Sequence, residues 1–410
     1  MSLVVRPAAD WELASFLTEA SAKGSAVEIL GGGSKADFGR PRVGDAHIIS
    51  THVLRGVRLY EPAELVMIAR AGAQISEIER DLRSNRQMLA FEPIDLGPML
   101  GKERGLTTIG GVFATNLSGS RRIAMGAARD NLLGVHAVSG AGEIFRSGGR
   151  VMKNVTGLDL CRAISGSWGT LAAMMEAAFK VVPEPEETAT LVLLGLPDDL
   201  GVEALCAALA SPLEVSGGVH LDAGLAGRLW QDDLSAVGES LTLLRLETFS
   251  AFLPDRVARL TEVLKLFGEV HVMDDGMSRQ FWGEMRELSV FQGGEMPVWR
   301  ISTTPTKAPF MVADIRRYMD CNACFDWSGG LVWLEVPVSA DAGATDIRRV
   351  LAAHRGYATL VRAAPDVRRA VDVFQPMDPG IARMTRELKS VFDPAGILNP
   401  GRMYTTDRGL

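Results

Sequence analysis

The chain has 410 residues, 47% of them hydrophobic and 23% charged, with a formal net charge of −7. That length exceeds what one hydrophobic core serves and implies two or three units of roughly 100 to 200 residues. The ordinary composition excludes a disordered chain, and the acidic balance argues against a nucleic-acid partner, which calls for a basic face.

The opening MSLVVRPAADWELASFL has no apolar core followed by a cleavage site, and no apolar run reaches membrane-spanning length. Four cysteines in so long a chain do not make a disulfide framework. A cytoplasmic protein is therefore expected, with docking on a membrane-bound partner left open. The sequons at Asn116 and Asn154 are chance matches in that setting.

Residues 10–22 read as a helix, with Asp10 able to cap it and Leu13, Phe16, Leu17 and Ala20 on one face. A short strand over 26–30 runs into Gly31-Gly32-Gly33-Ser34-Lys35. Consecutive glycines after a strand open backbone angles closed to other residues and expose N–H donors, which suits a pyrophosphate. A plain turn is the other reading. The spacing is neither that of a phosphate-binding P-loop nor the GxGxxG of a Rossmann unit.

A strand over 65–71 precedes a helix from Ser76, where Ser76-x-x-Glu79 reads as a capping box and Ile75, Ile78 and Leu82 mark the buried side. A long loop from Phe91 through Pro93 to Thr107 is a functional-loop candidate. From Thr107 to Pro183, small residues such as Gly110, Gly111, Ala114, Ser118 and Gly119 leave the backbone bare beside short β-like runs. This stretch reads as the floor of a cofactor site. A Pro/Glu-rich link over 184–187 then ends the first domain.

The middle third alternates apolar and amphipathic runs over 190–196, 202–209, 241–246, 256–267, 298–302, 310–318 and 331–336. That rhythm predicts an antiparallel sheet backed by helices. Arg300 alternates with apolar neighbours on one of these strands, and could point inward at a carboxylate or outward to solvent. Cys321 and Cys324 have no second pair to complete a metal site and read as a solvent-side loop. The six histidines stand apart with no metal-ligand spacing, so structural roles are expected for His220 and His354 and no metal is expected.

Five blocks stand in a telling order. They are Gly31-Gly32-Gly33-Ser34; Thr108-Ile109-Gly110-Gly111 with Ala114 and Asn116; Gly126-x-x-Arg129-Asp130-x-x-Leu133-Gly134; Gly142-Glu143 with Gly148-Gly149; and Gly166-Ser167-x-Gly169-Thr170-Leu171. This order resembles the vanillyl-alcohol oxidase, or PCMH-type, FAD-linked oxidases. Residues 116–122, 151–159 and 180–183 are similar to the FAD-binding subunits of bacterial glycolate oxidases. The closing Phe392-Asp393-Pro394-x-Gly396-Ile397-Leu398-Asn399-Pro400-Gly401-Arg402 matches that family's ending.

The resemblance implies an α+β fold: an FAD domain of a small and a larger subdomain over 1–185, a ferredoxin-like cap over 186–365, and a C-terminal arm over 366–410. It places Gly31, Gly32, Gly33, Ser34 and Lys35 on the FAD pyrophosphate. Thr107, Gly110, Gly111, Ala114, Thr115, Asn116 and Ser118 would run along the flavin ring and ribityl chain, with Pro93 among the cofactor residues. Gly166, Gly169 and Thr170 would close on the diphosphate and ribityl region, and Val181 would meet the adenine. Position 34 is Ser, and residues 91–120 contain no His or Cys, so the FAD is expected to be non-covalent. The arm would lie near the flavin ring, or else staple the domains together.

The reaction implied is hydride loss from glycolate to flavin, giving glyoxylate, with electrons leaving through an iron–sulfur subunit to a membrane quinone. Metal-dependent relatives carry a His-x-Gly-Asp-Gly-Asn-x-His cluster, and this chain lacks it. No base for the hydroxyl proton and no cation for the carboxylate is legible. The chain is thus expected to bind FAD and support electron transfer beside a homologous catalytic subunit, on a small 2-hydroxy acid. A self-sufficient oxidase of another alcohol or hydroxy acid, and a flavin-free scaffold, remain the alternatives.

Overall fold

The computed structural model describes residues 2–42, 44–149 and 158–405. Most of the 151–159 block, including Asn154, lies outside the described residues. The chain divides into two compact units. One comprises Met1–Ser118, Gly126–Glu184 and Pro376–Leu410; the other comprises Gly119–Met125 and Pro185–Gln375.

The first unit holds two main sheets. A parallel sheet has the order Val4–Val5, His47–Ser50, Val27–Leu30. An antiparallel one has the order Val57–Glu61, Val66–Arg70, Ala172–Lys180, Leu132–Ser139, Ile144–Gly148. Helix Asp10–Lys23 buries Leu13, Leu17 and Ala20, as their spacing requires, in a core shared with Val27, Ile49, Val138 and Met175. Its cap position is Ala9 rather than Asp10, whose carboxylate instead accepts from the adjacent Trp11 N–H at 2.8 Å. Helix Ile75–Arg83 likewise starts one residue before Ser76, with Gln74 at the cap, so the expected capping box does not form. Ile78 and Leu82 still face the core of the large sheet, beside the mutually tilted rings of Phe91, Phe113 and Phe179.

The C-terminal arm is built into this unit. Helix Pro379–Phe392 leads to residues 397–399, which add to the free edge of strand Val27–Leu30: Val27 N–H donates to Ile397 O and Asn399 N–H to Val27 O, both at 2.8 Å. The arm thus braces the strand that feeds the glycine loop.

The second unit is one antiparallel sheet of eight strands, twice the number in a single β-α-β-β-α-β ferredoxin-like unit. Their order is His271–Met273, Glu187–Leu194, Leu241–Thr248, Gly217–Leu221, Asn322–Asp326, Leu331–Glu335, Val298–Ser302, Tyr357–Arg362. Four of these strands, Gly217–Leu221, His271–Met273, Asn322–Asp326 and Tyr357–Arg362, carry no clear sequence signal. Helices Asp198–Ala210 and Leu253–Leu264 pack on the face that carries Leu191, Leu193, Leu244 and Leu246. Of the Cys321/Cys324 pair, Cys321 stands half-buried just before strand Asn322–Asp326, and only Cys324 departs from the expected solvent-side loop. Cys324 is fully buried in a central strand opposite Trp333 and Leu221, where burial holds its thiol well above the ordinary range.

Candidate cofactor site

Strand Val27–Leu30 ends directly in the glycine loop, and the loop's back is pressed against residues 106–108. A Cβ placed on Gly32 would fall 1.7 Å from the Leu106 carbonyl oxygen, and one on Gly31 would fall 2.5 Å from Thr108 Oγ1. Gly33, at φ +81°, faces open space. The loop can make this approach only without side chains, and the approach turns its amides outward. Among the described residues the N–H groups of Gly32, Gly33 and Ser34 find no acceptor.

These donors open into a cleft of about 570 Å³ including its mouth, lined also by Thr108, Gly111, Thr115, Trp168, Asn399 and Arg402. Helix Ile109–Thr115 forms one wall, capped by Thr108, whose Oγ1 accepts from Gly111 N–H at 3.3 Å. Arg402 reaches back from the arm to donate to Lys35 O at 2.8 Å and Ala36 O at 3.1 Å, clamping the loop. Asn399 spans two neighbours: its Oδ1 accepts from Ile29 N–H at 2.8 Å and its Nδ2 donates to Trp168 O at 2.6 Å.

Lys35 is the buried cation of the cleft. Its Nζ lies 3.4 Å from Ser34 Oγ and 3.5 Å from Thr107 Oγ1, and Thr107 in turn donates to Asp95 Oδ1 at 2.8 Å. Burial lowers the Lys35 pKa to about 8, partly offset by Asp95. Unsatisfied main-chain donors converging beside a buried ammonium suit a diphosphate, since each orphaned buried donor costs free energy until an acceptor arrives. The residues present therefore fit the pyrophosphate of a dinucleotide.

Of the residues expected from sequence, Gly31, Gly32, Gly33, Ser34, Lys35, Gly111, Ala114 and Thr115 meet on this cleft. Thr107 stands one layer behind, bonded to Ser34 at 3.0 Å. Gly110 packs against Ala71, and Pro93 is buried in its loop. Asn116 takes φ +51° at the end of its helix, and its Oδ1 accepts from Arg129 N–H at 3.0 Å. Ser118 accepts from Ala128 N–H at 2.9 Å. Gly166 and Gly169, both at positive φ, and Thr170, whose hydroxyl bonds Ser167 O at 2.7 Å, shape the turn that presents Trp168. Val181 is fully buried in the core of the large sheet and lines no part of the cleft. Sequence reasoning missed Trp168; Asn399 and Arg402 were visible only as part of the closing motif.

Comparison with known proteins agrees with this geometry. The family described as an FAD binding domain matches residues 1–148. The glycolate oxidase subunit GlcE of Escherichia coli K12 is 34% identical over 92% of both chains. The glycolate oxidase subunit GlcD of Bacillus subtilis is 43% identical over 22% of this chain and 19% of its own. Among solved structures, p-cresol methylhydroxylase superposes with a TM-score of 0.73 at 14% identity, covering 98% of this chain and 89% of that one. A cleft whose residues fit a diphosphate, on a PCMH-type fold and within a sequence related to GlcE over 92% of its length, places this chain in the FAD-linked oxidase family, with FAD as its cofactor.

Proposed function

We propose that the chain is the FAD-binding subunit of a glycolate oxidase (dehydrogenase) complex. The complex converts glycolate to glyoxylate and sends the electrons through an iron–sulfur partner to quinone, at the cytoplasmic face of the membrane. The observation that carries this reading is the relation to GlcE over nearly the whole chain, joined to the diphosphate cleft. Bound FAD would supply a redox centre that relays the electrons released at the homologous subunit. Gly32, Gly33 and Ser34 offer it main-chain donors, Lys35 offsets its charge, and Arg402 and Asn399 hold that loop and strand in place.

No group of three or more His, Cys, Asp or Glu side chains able to hold a metal occurs among the described residues. His220 is fully buried between Thr242 Oγ1 at 2.8 Å and Asp198 Oδ1 at 3.2 Å, and His354 is paired with Asp314 at 2.9 Å. Neither is placed as a base for an incoming alcohol, so proton abstraction is assigned to a homologous FAD-binding subunit. Co-expression with candidate partners tests this. The chain is expected to purify yellow and to co-elute with a second flavoprotein and an iron–sulfur protein. Alone it should show less than about one-hundredth of the complex's glycolate-dependent dye reduction. Robust turnover by the isolated chain overturns the division of labour.

The lowered Lys35 pKa gives a pH signature. A diphosphate beside the ammonium favours its charged form, so FAD binding takes up a proton wherever the free protein has lost one. Affinity is then fully present below pH 8 and falls as pH rises beyond it. Fluorescence titration of the apoprotein should show FAD binding about tenfold weaker at pH 9 than at pH 7, and Lys35→Met should bind more weakly at pH 7 with that dependence gone. The FAD-free protein itself should gain stability from about pH 8 to 10.5, because the unfolded chain then binds more protons than the folded one.

A further inference from the structure

The sheet of the second unit has two unlike faces. Residues directly opposite on neighbouring strands share a face, so the pairings Thr190–Arg245–Gly217 and Cys324–Trp333–Arg300–Thr359 lie on the side away from Leu191 and Leu244. This face carries four arginines: Arg245 and Arg300 from the sheet, and Arg121 and Arg122 from the segment Gly119–Met125.

Two of them are neutralised by one acid. Arg121 holds Glu247 through Nε at 3.0 Å and Nη2 at 2.5 Å, and Arg245 Nε lies 3.4 Å from the same carboxylate. Burial pushes Glu247 up, yet Arg245 and Arg121 together hold it down at about 2.

Arg300 has no such partner. Its guanidinium carbon lies 5.1 Å from the Trp327 ring and 6.0 Å from the Trp333 ring, and its Nε is buried without a hydrogen-bond partner. No ion pair joins it to a carboxylate among the described residues. The Arg122 guanidinium carbon stands 4.2 Å over the same Trp327 indole. The acid beside them is Asp326, whose Oδ1 accepts from Trp327 N–H at 2.6 Å. Burial lowers the Arg300 pKa to about 10; Arg122 adds to that effect and Asp326 opposes it. A desolvated guanidinium with an orphaned N–H, next to a second guanidinium, is unfavourable until an anion completes it. The residue is half-buried overall, while its guanidinium is desolvated.

We propose that Arg300, with Arg122 beside it, forms a binding site in this unit for a small carboxylate, its carbon end bounded by the indoles of Trp327 and Trp333. Planar guanidinium matches planar carboxylate, and the flanking rings favour a short organic anion over a hydrated inorganic one. Taking a 2-hydroxy acid such as glycolate as the natural ligand rests on the function proposed above; the anion site itself does not.

The test uses the full-length, FAD-loaded chain and follows tryptophan fluorescence during titration with glycolate, acetate and uncharged 1,2-ethanediol at constant ionic strength. Glycolate and acetate are expected to change the emission saturably and the diol not at all. Arg300→Met should weaken carboxylate binding by about 10- to 100-fold and leave the flavin absorbance unchanged, while Arg300→Lys should recover part of the affinity. Should Arg300→Met fail to fold, Trp327→Phe replaces it, and the glycolate-dependent signal is expected to shrink. The proposal is overturned if wild type binds neither carboxylate, if Arg300→Met binds as wild type does, or if Trp327→Phe keeps the full signal. Dye reduction by the assembled complex is read separately. Its absence with carboxylate binding intact removes the glycolate oxidase function and leaves this site standing.

Discussion

Gly32→Val is expected to yield protein that purifies almost colourless. Every rotamer of the new side chain begins from a Cβ 1.7 Å from the Leu106 carbonyl oxygen and 2.8 Å from its carbon. Both are backbone atoms, so no side-chain rearrangement relieves the overlap, and the loop must lift off residues 106–108. Overpacking of this kind costs about 1–3 kcal/mol, and more where backbone has to move. The lifted loop also loses the convergence of its donors on the cleft. A tenfold or greater fall in the flavin-to-protein absorbance ratio is expected, roughly what 1.4 kcal/mol produces under sub-saturating FAD. Gly33→Ala is the internal control. There the new Cβ meets open space and only the positive φ is unfavourable, costing about 1 kcal/mol. FAD retained by Gly32→Val at the wild-type level would show that the loop does not hold the cofactor.

Asp393→Ala is expected to be the most destabilising single change in the C-terminal arm. Its carboxylate is completely buried; it takes Lys389 Nζ at 2.8 Å and accepts from Ile397 N–H at 3.0 Å and Leu398 N–H at 2.8 Å. Lys389 Nζ also donates to Thr170 O at 2.8 Å, tying the arm's helix to the turn that carries Trp168. Removing one partner of a buried pair leaves an uncompensated charge, at about 3–5 kcal/mol. A fall in Tm on the order of 10 °C is expected for a unit of this size. The amides of Val27 and Ile29, which depend on Ile397 and Asn399, should lose hydrogen-exchange protection before the large sheet does. Equal loss of protection in both sheets would mean that the arm does not act locally. Because Arg402 follows the same turn, FAD should dissociate faster as well.

These two residues also mark how far sequence reading reached. The glycine loop was legible because a strand that stops in three glycines is a local statement about backbone sterics. That Gly32 must be bare follows from contact with Leu106, far along the chain and invisible to any local pattern. The Asp393 turn was legible as chemistry, since Asp-Pro and Asn-Pro-Gly end a helix and reverse the chain. Its bonding to strand Val27–Leu30 was not: a single parallel bridge between Val27 and Leu398 fastens the arm within the first unit. The cap errors at Asp10 and Ser76 run the same way: the cap position falls one residue before Asp10, at Ala9, and two before Ser76, at Gln74.

Period and turn chemistry gave, from sequence alone, half the strands and several helices of the second unit and the bare glycine loop, because each depends on neighbours within a few positions; the class of fold and the further residues lining the cleft came from the family resemblance of the ordered blocks. The tertiary structure decided what required two distant segments to meet. It set Lys35 against Thr107, turned Arg402 back onto the loop, carried Gly119–Met125 to the second unit, and buried Cys324. It also chose the side of the sheet on which Arg300 stands: alternation along Val298–Ser302 defines two faces but does not say which one helices cover, and only the assembled sheet leaves that guanidinium beside Trp327 with its Nε unpaired.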